Sequence, residues 1–172
     1  AIQDKTNHYT FISNHRDIIL DAAFLDILLV DEGMNTVEIA IGDNLLIYPW
    51  IKKIVRINKS FIVKRGLSLR EQLQSSILMS KYIHFAATEK KENIWIAQRQ
   101  GRAKDSNDRT QDSILKMMTM AGEGDIIDRL KELNLVPLTL SYVFDPCEDL
   151  NAKESQQKRD DANFKKSEAD DL

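Results

Sequence analysis

One histidine stands where it could act as a general base, between a predicted strand and a predicted helix. The run Asn14-His15-Arg16-Asp17-Ile18-Ile19-Leu20-Asp21 follows the β-rich segment 9–13 and opens an apolar helical segment. A histidine can take a proton from a substrate when a carboxylate accepts a hydrogen bond from its other ring nitrogen and fixes the tautomer. Asp21 is the candidate for that carboxylate. The alternative is a helix cap at Asp17 with His15 in an ordinary loop, which is the commoner explanation of an isolated His-Asp pair.

Two further segments place cations directly after predicted strands. They are Lys64 and Arg65, after the strand 60–63, and Arg99, Gln100, Gly101 and Arg102, after the strand 94–97. An arginine can hold a phosphate through two parallel hydrogen bonds, whereas a lysine supplies a point charge. A glycine lets the backbone approach a ligand closely. Each segment alone is also explained as a solvated basic loop. The chain has no G-x-S-x-G, H-E-x-x-H, Walker or G-x-G-x-x-G motif, so these segments carry the chemical signal.

Strands and helices alternate along the chain. The β-rich runs are 9–13, 37–41, 60–63, 94–97 and 138–142, and the helical runs are about 18–32, 45–57, 69–86, a segment after Asp108, and one carrying Ile126, Leu130 and Leu133. This alternation predicts an α/β fold with a mostly parallel sheet flanked by helices. In such sheets, functional groups gather beyond the carboxyl ends of the strands.

Three local patterns make the predicted elements more specific, two for helices and one for a strand. Ser68 and Glu71 have the spacing of a capping box, followed by an apolar face of Leu69, Leu73 and Ile77. Asp108 is predicted to cap the helix that carries Ile114 and Met117. The run 135–138, with Pro137 in it, is interpreted either as the entry to the last strand or as the lining of an apolar slot.

Composition places the chain among globular proteins of a reducing compartment. Its 172 residues are 42% hydrophobic and 30% charged, and Cys147 is the single cysteine. We expect one domain over 1–146 and a charged tail over 147–172, either helical or disordered. No apolar run is long enough to span a bilayer. Because the chain begins at Ala1 rather than Met, we expect it to be a fragment, so that a membrane anchor could lie outside it.

Four segments together, in this order and spacing, resemble the glycerolipid acyltransferase family, which includes the lysophosphatidic acid acyltransferases. The resemblance covers about residues 9–143. The family's N-H-x-x-x-x-D block matches Asn14-His15 and Asp21, with one extra residue in between. Its second block matches Phe61 to Arg65, its E-G-x-R block matches Gln100-Gly101-Arg102, and its V-P-[VI] block matches Val136-Pro137-Leu138. This chain departs from the family in that extra residue, in Gln100 where the family has Glu, and in an Arg102 that comes one position early.

The resemblance implies a glycerolipid acyltransferase-like fold and an O-acyltransferase of phospholipid biosynthesis. It would move a fatty acyl group from acyl-CoA or acyl-carrier protein to a hydroxyl of a lysophosphatidate-like glycerolipid. His15 would be the general base and Asp21 its partner, Lys64, Arg65, Gly101 and Arg102 would hold the acceptor's phosphate, and Asn14, Arg99 and Gln100 would support the site. The resemblance implies no metal and no cofactor other than the acyl donor.

The expected location is the cytoplasmic side of a membrane, where the protein would be peripheral or anchored by a segment outside this chain. The stretch 44–70 contains seven Lys or Arg and no acid, and its helical part mixes cations with Tyr48 and Trp50, which is typical of a helix resting at the headgroup level. The purely structural alternative puts Trp50 and Ile54 in the core.

Two rival functions remain open: a catalytically impaired module that binds anionic lipid, and, with little support, a hydrolase in which His15 activates water. Nucleic acid is not expected as a partner, because the net charge is negative and the aromatics form no stacking pattern.

Overall fold

Five parallel strands form a single sheet in a computed structural model that describes residues 2, 4–103, 107–144, 147–161 and 164. The strands are β1 (Thr10–Ser13), β2 (Val37–Gly42), β3 (Ser60–Val63), β4 (Asn93–Ala97) and β5 (Leu135–Leu138), in the spatial order β3-β2-β4-β1-β5. All four strand pairings are parallel. The predicted fold class, α/β with helices flanking a mostly parallel sheet, is confirmed.

Six α-helices are described. They are α1 (Leu20–Asp31), α2 (Pro49–Ile57), α3 (Leu69–Phe85), α4 (Asp112–Met118), α5 (Ile126–Glu132) and α6 (Glu148–Asp160), with a 3-10 turn at Asp43–Leu45 and a π turn at Ala86–Lys90. Within the described ranges, the helices are all too short or too polar to cross a membrane. The helix α6 lies in the predicted tail, so for 148–160 the helical alternative holds; the tail's last part, 165–172, lies outside the described residues.

The hydrophobic core lies on both faces of the sheet. Successive residues of β4 point to opposite faces, so Trp95 packs with Phe11 and the α1 residues Leu25 and Leu29, whereas Ile94 and Ile96 pack with the α3 and α4 residues Ile83 and Met118. Burial on both faces is the usual state of a parallel sheet. The packing therefore fixes all the carboxyl ends of the strands along one edge, with α1 on one side and α3 and α4 on the other.

Two predicted elements are displaced in the structure. The last strand is β5, four residues at 135–138 rather than 138–142. Pro137 pairs with Ile12 on an edge strand, where its missing N–H is tolerated, and the segment beyond it leaves the ladder because the Leu140 backbone bonds to the Asn14 side chain.

The second displacement is at α4, which begins at Asp112, with Gln111 rather than Asp108 at the N-cap position. Asp108 does not cap this helix. Its carboxylate accepts a hydrogen bond from the backbone N–H of His15 instead.

The capping box of α3 is confirmed, but the apolar face that follows it is not part of the core. Ser68 and Glu71 satisfy each other's backbone groups. Leu69 is 87% exposed and Leu73 is 53% exposed, because α3 packs on the sheet only through its later turns, where Ser80 and Ile83 are buried. The first turns of α3 therefore present leucines to the solvent.

Candidate active site

His15 and Asp21 are in direct contact at the carboxyl end of β1. The ring Nδ1 of His15 lies 2.8 Å from Oδ2 of Asp21, and the Asp21 side chain is fully buried while that of His15 is 16% exposed. The contact that the sequence predicted is confirmed, and the extra residue between the two does not turn the carboxylate away. With Nδ1 donating to a carboxylate, the nitrogen left to take a proton from another molecule is Nε2.

The Asp21 carboxylate has four hydrogen-bond donors, namely His15 Nδ1, the Tyr142 hydroxyl and the backbone N–H groups of Arg16 and Asp17. The Tyr142 hydroxyl donates to Oδ1 at 2.7 Å, and the backbone N–H of Arg16 donates to Oδ2 at 2.8 Å. Burial acts to raise the pKa of Asp21, but the hydrogen bonds from His15, Tyr142 and Arg16 outweigh it and leave the pKa below its ordinary value. Asp21 is therefore charged at neutral pH, and it can stabilise a protonated His15.

The start of α1 explains how the longer spacing is absorbed. Asp17 accepts hydrogen bonds from the backbone N–H groups of Ile19 and Leu20, each at 2.8 Å, just ahead of the helix. Asp21 lies in the first turn, where helical side chains point back toward the N-terminus. The N-cap position of α1 is Ile19, so Asp17 is not the N-cap but bonds to the turn just ahead of the helix, and Asp21 contacts His15.

Further contacts hold the backbone and ring of His15. Its N–H donates to Asp108 at 2.9 Å, its carbonyl accepts from the Ala103 N–H at 2.9 Å, and the Trp95 ring meets the imidazole edge-on at a centroid distance of 5.6 Å. Asn14 bonds in both directions to the Leu140 backbone, so its side chain links the end of β1 to the segment that follows β5. Sequence reasoning missed Trp95, Asp108 and Tyr142, because each comes from a distant segment and belongs to no motif.

A first cavity of about 440 Å³ opens beside His15, between the sheet and α3. The predicted site residues that line it are His15, Lys64, Arg65, Arg99, Gln100 and Gly101. Its walls also include the apolar side chains of Ile39, Phe61, Met79, Ile83, Trp95 and Met117. The cavity therefore combines apolar walls with polar and charged side chains, and a concave space of this kind is a candidate small-molecule site.

A second cavity of about 490 Å³ lies on another side of His15. His15, Arg65, Arg99 and Gly101 line both cavities, so this group stands at their junction. Arg102 lines only the second cavity and Lys64 only the first. The three cations predicted to hold one phosphate are therefore divided between two spaces that meet at Arg65.

Gly42, at the end of β2, sets the position of Arg65. A Cβ on Gly42 would lie 2.6 Å from Nε of Arg65 and 2.4 Å from Oδ1 of Asn44, closer than real contacts allow. The Arg65 side chain thus lies against the Gly42 backbone and lines both cavities. Nothing in the sequence marked Gly42 as more than the end of a strand.

The segment after β4 is shaped by its backbone. Gly101 has a φ of +78°, a left-handed conformation that disfavours any residue with a Cβ. The N–H of Gln100 donates to the Gln111 side chain at 2.8 Å, and the Arg99 guanidinium donates to the Asn107 carbonyl at 2.9 Å. The strand β4 and the segment leading to α4 therefore fix where these three residues face the cavities.

The V-P-L run has a structural position. Val136, Pro137 and Leu138 belong to β5, and they are not among the described residues that line either cavity. Of its two interpretations, the strand is the one observed. Within the part of the chain that the structure describes, no group of three His, Cys, Asp or Glu side chains is placed to hold a metal ion.

A scan against models of known protein families matches none of them, and a search of the curated proteins likewise finds no match for this chain.

Proposed function

We propose that this protein is an O-acyltransferase that moves a fatty acyl group from a thioester donor to a hydroxyl of a lysophosphatidate-like glycerolipid. The observation that carries the proposal is the contact of His15 with the buried Asp21, where a cavity with apolar walls meets a group of arginines. Each substrate of this reaction combines an acyl chain with phosphate, which matches those surroundings. The sequence resemblance to the glycerolipid acyltransferases points to the same reaction.

In this mechanism, His15 Nε2 takes the proton of the acceptor hydroxyl as its oxygen attacks the thioester carbonyl carbon. A carbon–oxygen bond forms, the carbon–sulfur bond breaks, and the imidazolium returns its proton to the leaving thiolate. Asp21 stabilises the imidazolium between these steps, and its bonds to Tyr142 and Arg16 hold it in place. The thioester is already an activated acyl group, so the reaction as written uses no metal. Holding both reactants against His15 supplies much of the rate.

The phosphate-binding role belongs chiefly to Arg65, supported by Lys64 from the first cavity and by Arg102 and Gly101 from the second. Arg65 lines both spaces and so reaches a phosphate near His15. Arg99 and Gln100 line the first cavity beside them. The apolar walls between the sheet and α3 accommodate the acyl chain.

The proposed setting is the surface of an anionic membrane. Trp50 is 59% exposed and Ile57 is 79% exposed, and Ile54 is about half exposed, so the alternative that buried Trp50 and Ile54 in the core is wrong. Within α2, the buried side chain is Ile51. The exposed apolar residues share their helix with Lys52, Lys53 and Arg56, as in helices that rest among lipid headgroups.

The test is acyl transfer from radiolabelled acyl-CoA, and separately from acyl-carrier protein, to lysophosphatidate. We expect His15→Ala to lower turnover by a factor of about 10² to 10⁴, the usual contribution of a general base, and Asp21→Asn to lower it less. His8→Ala is the matched control, since His8 lies outside both cavities. Transfer by His15→Ala at the parent rate would refute the mechanism.

A second candidate is a lipid-binding module without turnover. It is favoured by Gln100, which stands in the first cavity where the resembled family has a carboxylate. The same assay separates the two functions. Salt-sensitive binding of lysophosphatidate by the parent, with no transfer from either donor in single-turnover conditions, would establish the module.

A further inference from the structure

The second cavity differs from the first in its charge and in the elements that build it. It lies between the segments that follow β3 and β4 and the helix α6 of the tail. Its described cations are Arg65, Arg99, Arg102, Lys158 and Arg159, and among the described lining residues there is no acid. Two cations of the tail, Lys158 and Arg159, therefore line the cavity, although the tail carries net negative charge in the sequence.

The face of α6 that contributes to this cavity is well defined. Ser155, Lys158 and Arg159 line the cavity, and their spacing of three and four residues places them on one side of the helix. Asn151 and Glu154, on the same side, are buried. Lys158 also pairs with Glu154 at 2.7 Å, yet its side chain remains 54% exposed.

The amount of positive charge points to the kind of ligand. A phosphate monoester carries about −1.5 to −2 at neutral pH, which two cations balance. Of the substrates in the proposed reaction, the lysophosphatidate acceptor brings one monoester, and a carrier protein brings one phosphodiester on its prosthetic group. Coenzyme A brings a 3′-phosphate and a diphosphate on a single nucleotide. With Arg65 and Arg102 assigned to the acceptor's phosphate, Arg99, Lys158 and Arg159 remain among the described cations of the cavity, and three cations suit the three phosphoryl groups of coenzyme A best.

We propose that the second cavity binds the phosphorylated nucleotide end of an acyl-CoA donor, with Lys158 and Arg159 of α6 as nucleotide-binding residues. This inference rests on the proposed function for the identity of the donor. It fits the connection between the two cavities: with the nucleotide against α6, the thioester lies at His15, which lines both spaces, and the acyl chain enters the apolar cavity. The donor is then a coenzyme A thioester rather than an acylated carrier protein.

The test is calorimetric titration of the full chain with coenzyme A, with dephospho-coenzyme A, and with a short-chain lysophosphatidate. The double variant Lys158→Glu/Arg159→Glu should bind coenzyme A at least roughly tenfold more weakly, since bonds between charged groups contribute on this scale. We expect a smaller loss for dephospho-coenzyme A and no change for lysophosphatidate. Parent binding of coenzyme A should weaken as salt is raised.

Lys153→Glu is the matched control, because Lys153 is exposed on the same helix and does not line the cavity. Arg159→Ala alone provides a milder variant that keeps the Lys158–Glu154 pair, and circular dichroism checks that α6 remains folded in each. An unchanged coenzyme A affinity in both cavity variants would overturn the proposal. So would an equal loss in Lys153→Glu, a loss confined to lysophosphatidate, or a parent chain that does not bind coenzyme A.

These titrations need no turnover, so they separate this inference from the proposed function. A parent that binds coenzyme A through α6 but transfers no acyl group would refute the acyltransferase and leave the nucleotide site standing. A parent that transfers acyl groups only from a carrier protein, with no affinity for coenzyme A, would do the reverse.

Discussion

At the scale of single residues, the position of a site side chain depends on the space that its neighbours leave for it. Arg65 reaches both cavities because Gly42 has no Cβ beneath its guanidinium. Gly42 itself has a φ of −74°, which any residue adopts. A larger residue there would not strain the backbone, and its effect would fall on the side chains of Arg65 and Asn44.

We therefore predict that Gly42→Ala moves Arg65 and weakens phosphate binding while the free energy of unfolding stays nearly unchanged. The KM for lysophosphatidate should rise roughly tenfold, the scale of a lost bond between charged groups. Kinetics in a double-mutant cycle with Arg65→Ala check the cause. If Gly42→Ala acts through Arg65, it has little further effect in the Arg65→Ala background, and an additive loss would contradict this explanation.

The residues of the site divide into those that a sequence can predict and those that it cannot. His15, Asp21, Arg65 and Gly101 follow strands or open a helix, so strand ends and local spacing predict their common edge. Tyr142 lies 121 residues from Asp21, and only the tertiary fold brings its hydroxyl to the carboxylate. Gly42 acts by leaving space, which no residue pattern reveals.

At the scale of elements, local rules succeed where the chain satisfies its own groups. The capping box of α3 is internal to one turn, and the strand β3 has the predicted bounds. Predictions fail where a distant group competes. The helix α4 begins later than predicted because the Asp108 carboxylate accepts a hydrogen bond from the His15 N–H instead of capping the helix. The strand β5 ends early because the Leu140 N–H donates to the Asn14 side chain.

The element with the sharpest consequence is α2, whose exposed Trp50, Ile54 and Ile57 lie beside cations. We predict that the parent sediments with phosphatidylserine-containing vesicles at low salt and is released at high salt. Anionic lipid attracts each nearby basic residue by about 1 kcal/mol, so Lys52→Glu/Lys53→Glu should bind at least roughly thirtyfold more weakly.

The control for this experiment is Lys116→Glu/Lys131→Glu, which changes the net charge equally but outside the acid-free stretch. It should bind anionic vesicles almost as the parent does. Equal parent binding to neutral vesicles, or equal losses in the two double variants, would remove the membrane role from α2.

At the scale of the whole molecule, the position of the charged side chains matters more than the net charge. The chain has a net charge of −3, yet cations from the ends of β3 and β4 and from α6 meet at one edge of the sheet. That edge is also where a fully buried carboxylate, Asp21, stays ionised. The protein's stability is therefore linked to the protonation of its proposed active site.

The sign of this linkage follows from the lowered pKa of Asp21. A carboxyl whose pKa is lower in the folded than in the unfolded chain stabilises the fold above its ordinary value, here 3.8, and this contribution is lost as the pH falls through the folded value. We predict that the free energy of unfolding of the parent, measured by urea denaturation, falls on acidification below about pH 4 more steeply than that of Asp21→Asn. Asp4, Glu32 and Glu71, which also have lowered pKa values, are present in both proteins and cancel in the difference. Parallel pH profiles would contradict the linkage, because they would mean that Asp21 binds its proton equally well in the folded and unfolded chains.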